Sequence, residues 1–182
     1  MDMKYDLVVM GATGFTGKLV VEYLIKNYGT QNNQFSWAIA ARDFNKLTEL
    51  KASLEKIDSN SARINTLIAD STNQISMDDL TKTCKVIIST VGPYLKYGYL
   101  LIEACARNGT HYCDLTGEVP FIKESIDNFN EIARDNRSKI IHSCGFDSIP
   151  SDIGVQYLQK TAIERFGIPL EEIKLYVRAM RG

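Results

Sequence analysis

The stretch Leu7-Val8-Val9-Met10-Gly11-Ala12-Thr13-Gly14-Phe15-Thr16-Gly17-Lys18-Leu19-Val20 decides how this chain is read. Four apolar residues suited to a buried strand run into glycines, and a helical stripe (Leu19, Val20, Tyr23, Leu24) follows at once. That order predicts the first turn of a dinucleotide-binding βαβ unit. Each glycine has its own task there: a tight turn at the strand end, close approach of backbone to a pyrophosphate, and close packing of helix on strand. The helix start adds free N–H groups and the positive end of its dipole to receive the anion. The spacing is G-x-x-G-x-x-G, one residue longer than the usual fingerprint. A P-loop is the obvious rival because Lys18 follows Gly17, yet it wants four residues between its glycines and a hydroxyl after the lysine. Here five residues separate Gly11 from Gly17, and Leu19 stands where the hydroxyl is needed.

The length suits one domain of ordinary size, or one and the beginning of another. A length of 182 residues, 45% of them hydrophobic, is enough for a substantial core. Lys+Arg 21 against Asp+Glu 22 leaves a net charge of -1, so no electrostatic case exists for nucleic acid or an anionic membrane surface. The expected partners are small molecules or proteins, a second copy of the chain among them. Cys84, Cys105, Cys113 and Cys144 form no C-x-x-C pair, and His111 and His142 are the two histidines, so no metal site is expected. The N-terminus has no apolar segment ending in a small-residue cleavage site, and no run approaches the ~20 apolar residues of a membrane span. The expected setting is cytoplasmic, with peripheral association at membranes or lipid surfaces left open.

Outward from the glycine turn, apolar bursts alternate with amphipathic stretches, as in a parallel sheet covered on both faces. Strands are predicted near 5–10, 35–41, 64–69, 85–91, 111–115 and 139–144, and helices near 15–28, 44–56, 97–108, 120–137 and 150–165. The runs Asp58 to Ser61 and Asp70 to Ser76 read as surface loops. The expected fold class is a Rossmann-type, doubly wound parallel α/β sheet over residues 1–165. Residues 166–182 are read as the start of a second, truncated α+β domain. There Ile173, Leu175 and Val177 alternate with Lys174, Tyr176 and Arg178, the pattern of a strand with one wet face.

Candidate site residues sit where predicted strands end. After the second strand the chain reads Ala40-Ala41-Arg42-Asp43. An acidic residue there would bind a ribose 2′-hydroxyl, whereas an arginine receives a 2′-phosphate, so Arg42 points to NADP. The competing reading pairs Arg42 with Asp43 or Glu49 at the surface, and Asp43 is also a candidate helix cap. Asp70, past the third strand, either reaches the adenine or closes a turn. The fourth strand ends in Ser89-Thr90-Val91-Gly92-Pro93-Tyr94, a candidate floor for the nicotinamide ribose. Tyr94 is read either as a proton donor or as a packing lid. Glu118 and Asp147, at the fifth and sixth strand ends, are candidates to face a ligand. Ser148 and Asp152 read as caps, Asp114, Cys113 and Cys144 as packing or turn residues, and both histidines as structural.

With these pieces in place, the chain resembles the saccharopine dehydrogenase-like oxidoreductases, in the branch that holds the trans-acting enoyl reductases. The resemblance covers residues 4 to 155 and rests on GATGFTG, AARD followed by KL, VGPY-x-x-YG, AC-x-x-NGTHYCDLTGE and SCGFDSIPSD. It implies an NADP-binding Rossmann domain, followed in the family by an α+β domain that builds most of the substrate site. It places cofactor contacts on Gly11, Thr13, Gly14, Phe15, Thr16, Gly17, Arg42, Gly92 and Pro93, beside Asp70 and Val91 from the reading above. The expected activity is hydride transfer from NADPH to a C=C or C=N bond of a small or lipid-linked substrate. Alternatives are a saccharopine-forming enzyme of lysine metabolism and a non-catalytic NADP-binding adaptor or lipid-surface protein. A short-chain dehydrogenase would need Tyr-x-x-x-Lys, and Tyr23 and Tyr157 have their lysines at three positions instead.

Overall fold

The structure, a computed structural model, describes residues 3–30, 34–146 and 148–177. Among these, six parallel strands alternate with helices: β1 (Tyr5–Met10), α1 (Phe15–Tyr28), β2 (Trp37–Ala41), α2 (Phe44–Leu54), β3 (Asn65–Ile68), α3 (Gln74–Thr81), β4 (Cys84–Ser89), α4 (Tyr94–Tyr97), α5 (Tyr99–Asn108), β5 (His111–Asp114), α6 (Val119–Asp135), β6 (Ile140–Ile141) and α7 (Ile149–Phe166). The sheet order is β3-β2-β1-β4-β5-β6, so the winding reverses between β1 and β4. Leu7 lies beside Trp37 on one side and Val86 on the other.

Alternation along the strands sends successive side chains to opposite faces. On one face Val9, Ile39 and Ala41 meet Val21, Leu24 and Ile25 of α1 and Leu47, Leu50 and Leu54 of α2. On the other, Val8, Met10, Ala38 and Ala40 meet Met77 and Leu80 of α3, Leu101, Ile102 and Cys105 of α5 and Phe121 of α6. This is the doubly wound arrangement expected from the sequence. Gly98 makes room for Phe121, whose ring a Cβ at Gly98 would overlap. Tyr94, Tyr99 and His142 surround that ring at centroid distances of 5.6, 5.1 and 5.4 Å.

Three expectations need correction. The polar run after Asp70 is only partly loop, because Asn73 caps α3 by accepting from the Ser76 N–H at 3.0 Å, and Met77, Leu80 and Thr81 are buried one turn apart. The last strand is shorter than 139–144, keeping only Ile140–Ile141, since the chain after it turns to bond elsewhere. Residues 173–177 form no strand despite their alternation and pair with neither edge of the sheet, β3 or β6; position 178 lies outside the described residues. None of the described helices is long and apolar enough to cross a membrane.

Candidate functional site

A cleft of about 230 Å³ opens at the carboxyl ends of β1, β2 and β4, beside the point where the strand order reverses. Gly11, Thr13 and Gly14 line it from the first turn, Ala41 and Arg42 from the second strand, and Val91 and Gly92 from the fourth. The three glycines do different things. Gly11 has φ +85, and a Cβ there would lie 2.8 Å from both Thr90 Oγ1 and Val91 Cγ2. Thr90 holds this bend: its N–H donates to Met10 O at 3.0 Å and its hydroxyl to Met10 O at 3.1 Å. Gly17 is buried, and a Cβ on it would overlap the Gly11 carbonyl oxygen, so it sets how closely α1 packs on β1. Gly14 is exposed with φ -74, and the nearest atom to a Cβ is Gly11 O at 3.3 Å. Its open face is the one available to a ligand.

Gly14 is also the N-cap of α1, and no side chain caps that helix, nor is any acidic residue in its first turn. Lys18 N is the first donor to find an intrahelical partner, Gly14 O at 3.0 Å. The N–H groups of Phe15, Thr16 and Gly17 precede it, where a helix has no acceptor of its own. Where α2 and α3 begin, by contrast, Asp43 and Asn73 accept from Lys46 N at 3.1 Å and Ser76 N at 3.0 Å. An uncapped, dipole-positive helix mouth below an open glycine fits a pyrophosphate.

Arg42 is exposed at the cleft and makes no ion pair with any described residue, Asp43 and Glu49 included. Asp43 is instead the α2 cap. The guanidinium is therefore free for a phosphate. Asp70 closes its own turn: its carboxylate accepts from Thr72 N at 2.9 Å and Thr72 Oγ1 at 2.8 Å. Those two bonds, with a smaller contribution from the Arg42 charge, hold the Asp70 carboxyl below its ordinary range. Its neighbours Ala69 and Ser71 are the residues from this loop that line the cleft.

At the floor, the Gly92–Pro93 peptide bond is cis and leads straight into α4. Tyr94 is buried beneath it, donating its hydroxyl to Ser89 O at 3.0 Å, and burial pushes its phenol up to about 12. Tyr97, three residues on, lines the cleft. Glu118 faces the same turn from the other side. Both carboxylate oxygens accept backbone N–H groups at the start of α4, from Tyr94 at 2.7 Å and Leu95 at 2.9 Å. Glu118 thus braces the floor from beneath. Asp147 lies outside the described residues.

Farther along the sheet edge, Asp114 is buried, and its carboxylate accepts from Tyr112 OH at 2.9 Å, Thr116 N at 3.1 Å and Ser143 N at 3.1 Å. His142 Nδ1 sits 2.8 Å from the same carboxylate, and His142 Nε2 is 3.1 Å from Ser125 Oγ. This network ties together β5, α6 and the chain after β6. His111 Nδ1 accepts from Lys139 N at 3.1 Å. Ser148 is the N-cap residue of α7, although its hydroxyl makes no capping bond, and Asp152 lies in that helix's first turn. Sequence reasoning missed Ser71 and Tyr97 at the cleft. Tyr97 carried a signal, the second tyrosine of VGPY-x-x-YG, whereas Ser71 carried none beyond its place after a strand.

The family described as Saccharopine dehydrogenase NADP binding domain matches residues 7–141. A trans-acting enoyl reductase of Mycobacterium tuberculosis (strain ATCC 25618 / H37Rv) is 38% identical over 163 residues, covering 90% of this chain and 37% of the relative. One from Mycobacterium ulcerans (strain Agy99) is 35% identical over 176 residues, 97% of this chain and 40% of the relative. The chain therefore spans well under half the length of these relatives. Among solved structures, apo saccharopine dehydrogenase (L-Glu forming) from Saccharomyces cerevisiae superposes with TM-score 0.62 at 17% identity, over 88% of this chain and 31% of that one. An NADPH-dependent quinone oxidoreductase from Escherichia coli gives 0.50 at 16%, over 86% and 53%. Those two likenesses speak to fold. The match over residues 7–141, on the same glycine turn, helix mouth and strand ends that build the cleft, shows that this chain belongs to the saccharopine dehydrogenase NADP-binding domain family.

Proposed function

We propose that this chain is the cofactor-binding part of an NADPH-dependent reductase acting on a C=C or C=N bond of a small or lipid-linked substrate. The observation that carries the proposal is the pairing of an uncapped α1 mouth under exposed Gly14 with an unpaired Arg42 across the same cleft. In this reading the backbone N–H groups of Phe15, Thr16 and Gly17 hold the pyrophosphate and Arg42 receives the 2′-phosphate. Thr13, Val91, Gly92 and Pro93 shape the walls and floor. When bound, the nicotinamide supplies the hydride. Tyr94 and Glu118 hold the floor turn in place, and Asp70 keeps the loop that carries Ser71 at the adenine end. The trans-acting enoyl reductases among the relatives support the C=C assignment. All four cysteines are free thiols, the state that a cytoplasmic setting maintains.

Titration with NADPH and NADH tests this. Removing the charge-assisted contacts in Arg42→Ala is expected to weaken NADPH by about 10- to 100-fold, the equivalent of ~1.5–3 kcal/mol, with NADH unchanged. Equal losses for both nucleotides, or a folded wild type that binds neither, would overturn the assignment. NADPH binding without oxidation by any enoyl, imine or semialdehyde substrate would favour a non-catalytic adaptor instead.

A further inference from the structure

Two cysteines meet at the outer border of the sheet, and neither lines the nucleotide cleft. Cys113 is the third residue of β5, and its partner in the register with β6 is Ile141. Past Ile141 the chain bends back. Cys144 N donates to Asp114 O at 2.7 Å, and Cys144 Sγ lies 3.6 Å from Ile141 O and 3.8 Å from His142 O. The bend thus returns Cys144 to the side of Cys113, and the two thiols hydrogen-bond to each other. We propose that Cys113 and Cys144 are a reversible disulfide site, closed by a small-molecule disulfide such as oxidised glutathione, which fastens the last strand to its neighbour. The site stands whichever nucleotide the cleft binds.

The other two cysteines are placed differently. Cys84 and Cys105 are buried in the core that the sheet shares with α3 and α5, whereas Cys144 is exposed and Cys113 half-buried. One sulfur is therefore open to a reagent, and the second waits in contact with it. The hydrogen bond assigns their roles. Cys113 donates its S–H to Cys144 Sγ, which favours the proton on Cys113 and the thiolate on Cys144. Burial above all, with the Asp114 carboxylate beside them, nevertheless pushes both thiols up, Cys113 to about 11. Near neutral pH the pair rests as thiols, and exchange proceeds through the small thiolate fraction of Cys144.

The reaction takes two steps. Cys144 loses its proton to solvent and its thiolate attacks one sulfur of oxidised glutathione, whose S–S bond breaks to release one glutathione thiolate. Cys113 then loses its proton and attacks the Cys144 sulfur of the mixed disulfide, expelling the second glutathione thiolate. Both released thiolates take up protons. Two protein thiols are oxidised and one glutathione disulfide is reduced, so no other reactant is needed. The new bond closes a loop that contains the whole of α6, and a cross-link across a loop of that length restricts the unfolded chain. It also lies where main-chain pairing is thinnest, since β6 has only two residues.

Incubating the reduced, folded chain with oxidised glutathione tests this, with remaining thiols alkylated after unfolding and the peptides mapped by mass spectrometry. The expected product is a Cys113–Cys144 cross-link within one chain, reversed by dithiothreitol, with Cys84 and Cys105 alkylated. Its Tm should exceed that of the reduced form by ~5–10 °C. Cys113→Ser should stop at a glutathione mixed disulfide on Cys144, which identifies the attacking sulfur. A folded wild type that stops at that mixed disulfide, joins other cysteines, links two chains or keeps all four thiols overturns the proposal. A cross-linked form with the Tm of the reduced one overturns the fastening. The wild-type result decides the matter even if Cys113→Ser fails to fold.

Discussion

Replacing Gly17 with alanine separates the packing role of the turn from its binding role. The new Cβ would overlap the Gly11 carbonyl oxygen and lie 2.8 Å from Ala12 Cα and Gly11 C, all backbone atoms that no rotamer change can move. Ordinary carbon contacts lie at about 3.5–4.0 Å, so α1 would have to retreat from β1 by roughly 1 Å. That retreat loosens Val21, Leu24 and Ile25 against the sheet. Overpacking of this kind costs about 3 kcal/mol at its upper end, and alanine's better helix propensity returns about 1, for a net loss of ~2 kcal/mol. For a domain of this size the expected fall in Tm is ~4–8 °C, read by circular dichroism. Gly14→Ala is the partner experiment. Its φ of -74 suits any residue and its closest contact is 3.3 Å, so Tm should move little. Its methyl group nevertheless occupies the face offered to the pyrophosphate, so NADPH should bind at least about tenfold more weakly, an effect of ~1.4 kcal/mol. A Gly17→Ala protein with wild-type Tm would refute the packing argument. A Gly14→Ala protein with wild-type NADPH affinity would refute the placement of the pyrophosphate.

Two further outcomes follow from the floor of the cleft. Glu118→Ala removes both acceptors from the Tyr94 and Leu95 N–H groups and should lower stability by about 1–3 kcal/mol in urea unfolding, with Glu118→Gln losing less because one carbonyl acceptor remains. Equal stability of all three proteins would show that the brace carries nothing. Tyr94 has its phenol raised to about 12, so its contribution to stability is complete below pH 10 and fades as pH rises from 10 to 12, where the unfolded chain ionises first. Phenolate absorbance of wild type against Tyr94→Phe should show one tyrosine titrating late, and a difference spectrum centred near pH 10 would contradict its burial.

The parts of the fold legible in the sequence were those fixed by local chemistry. Gly11 needs a positive φ, and Gly17 needs to be without a side chain, so the turn was readable from residue types alone. The position of Arg42 at the cleft was readable because it follows directly on the end of the second strand. The α3 helix escaped notice because its buried stripe is short, Met77, Leu80 and Thr81, and follows a run of turn-forming residues. The alternation over 173–177 gives no strand among the described residues, because a two-residue period supplies a face for pairing but not a partner strand. Glu118 was placed at the correct end of the sheet but its target was not foreseeable, since the N–H groups it meets lie 24 and 23 positions away. Which partner a carboxylate finds at that separation is decided by packing, not by spacing.

The Asp114 cluster has a consequence for how such a sheet can vary. β6 contributes only two residues, so little main-chain pairing fastens the outermost strand. What holds it is a buried acid gripping the chain on either side of a bend, a rivet where neighbouring strands have a seam. A descendant sequence that exchanges Asp114 for an apolar residue must lengthen that last strand to keep its border closed, whereas one that keeps the acid is free to let the strand shrink further.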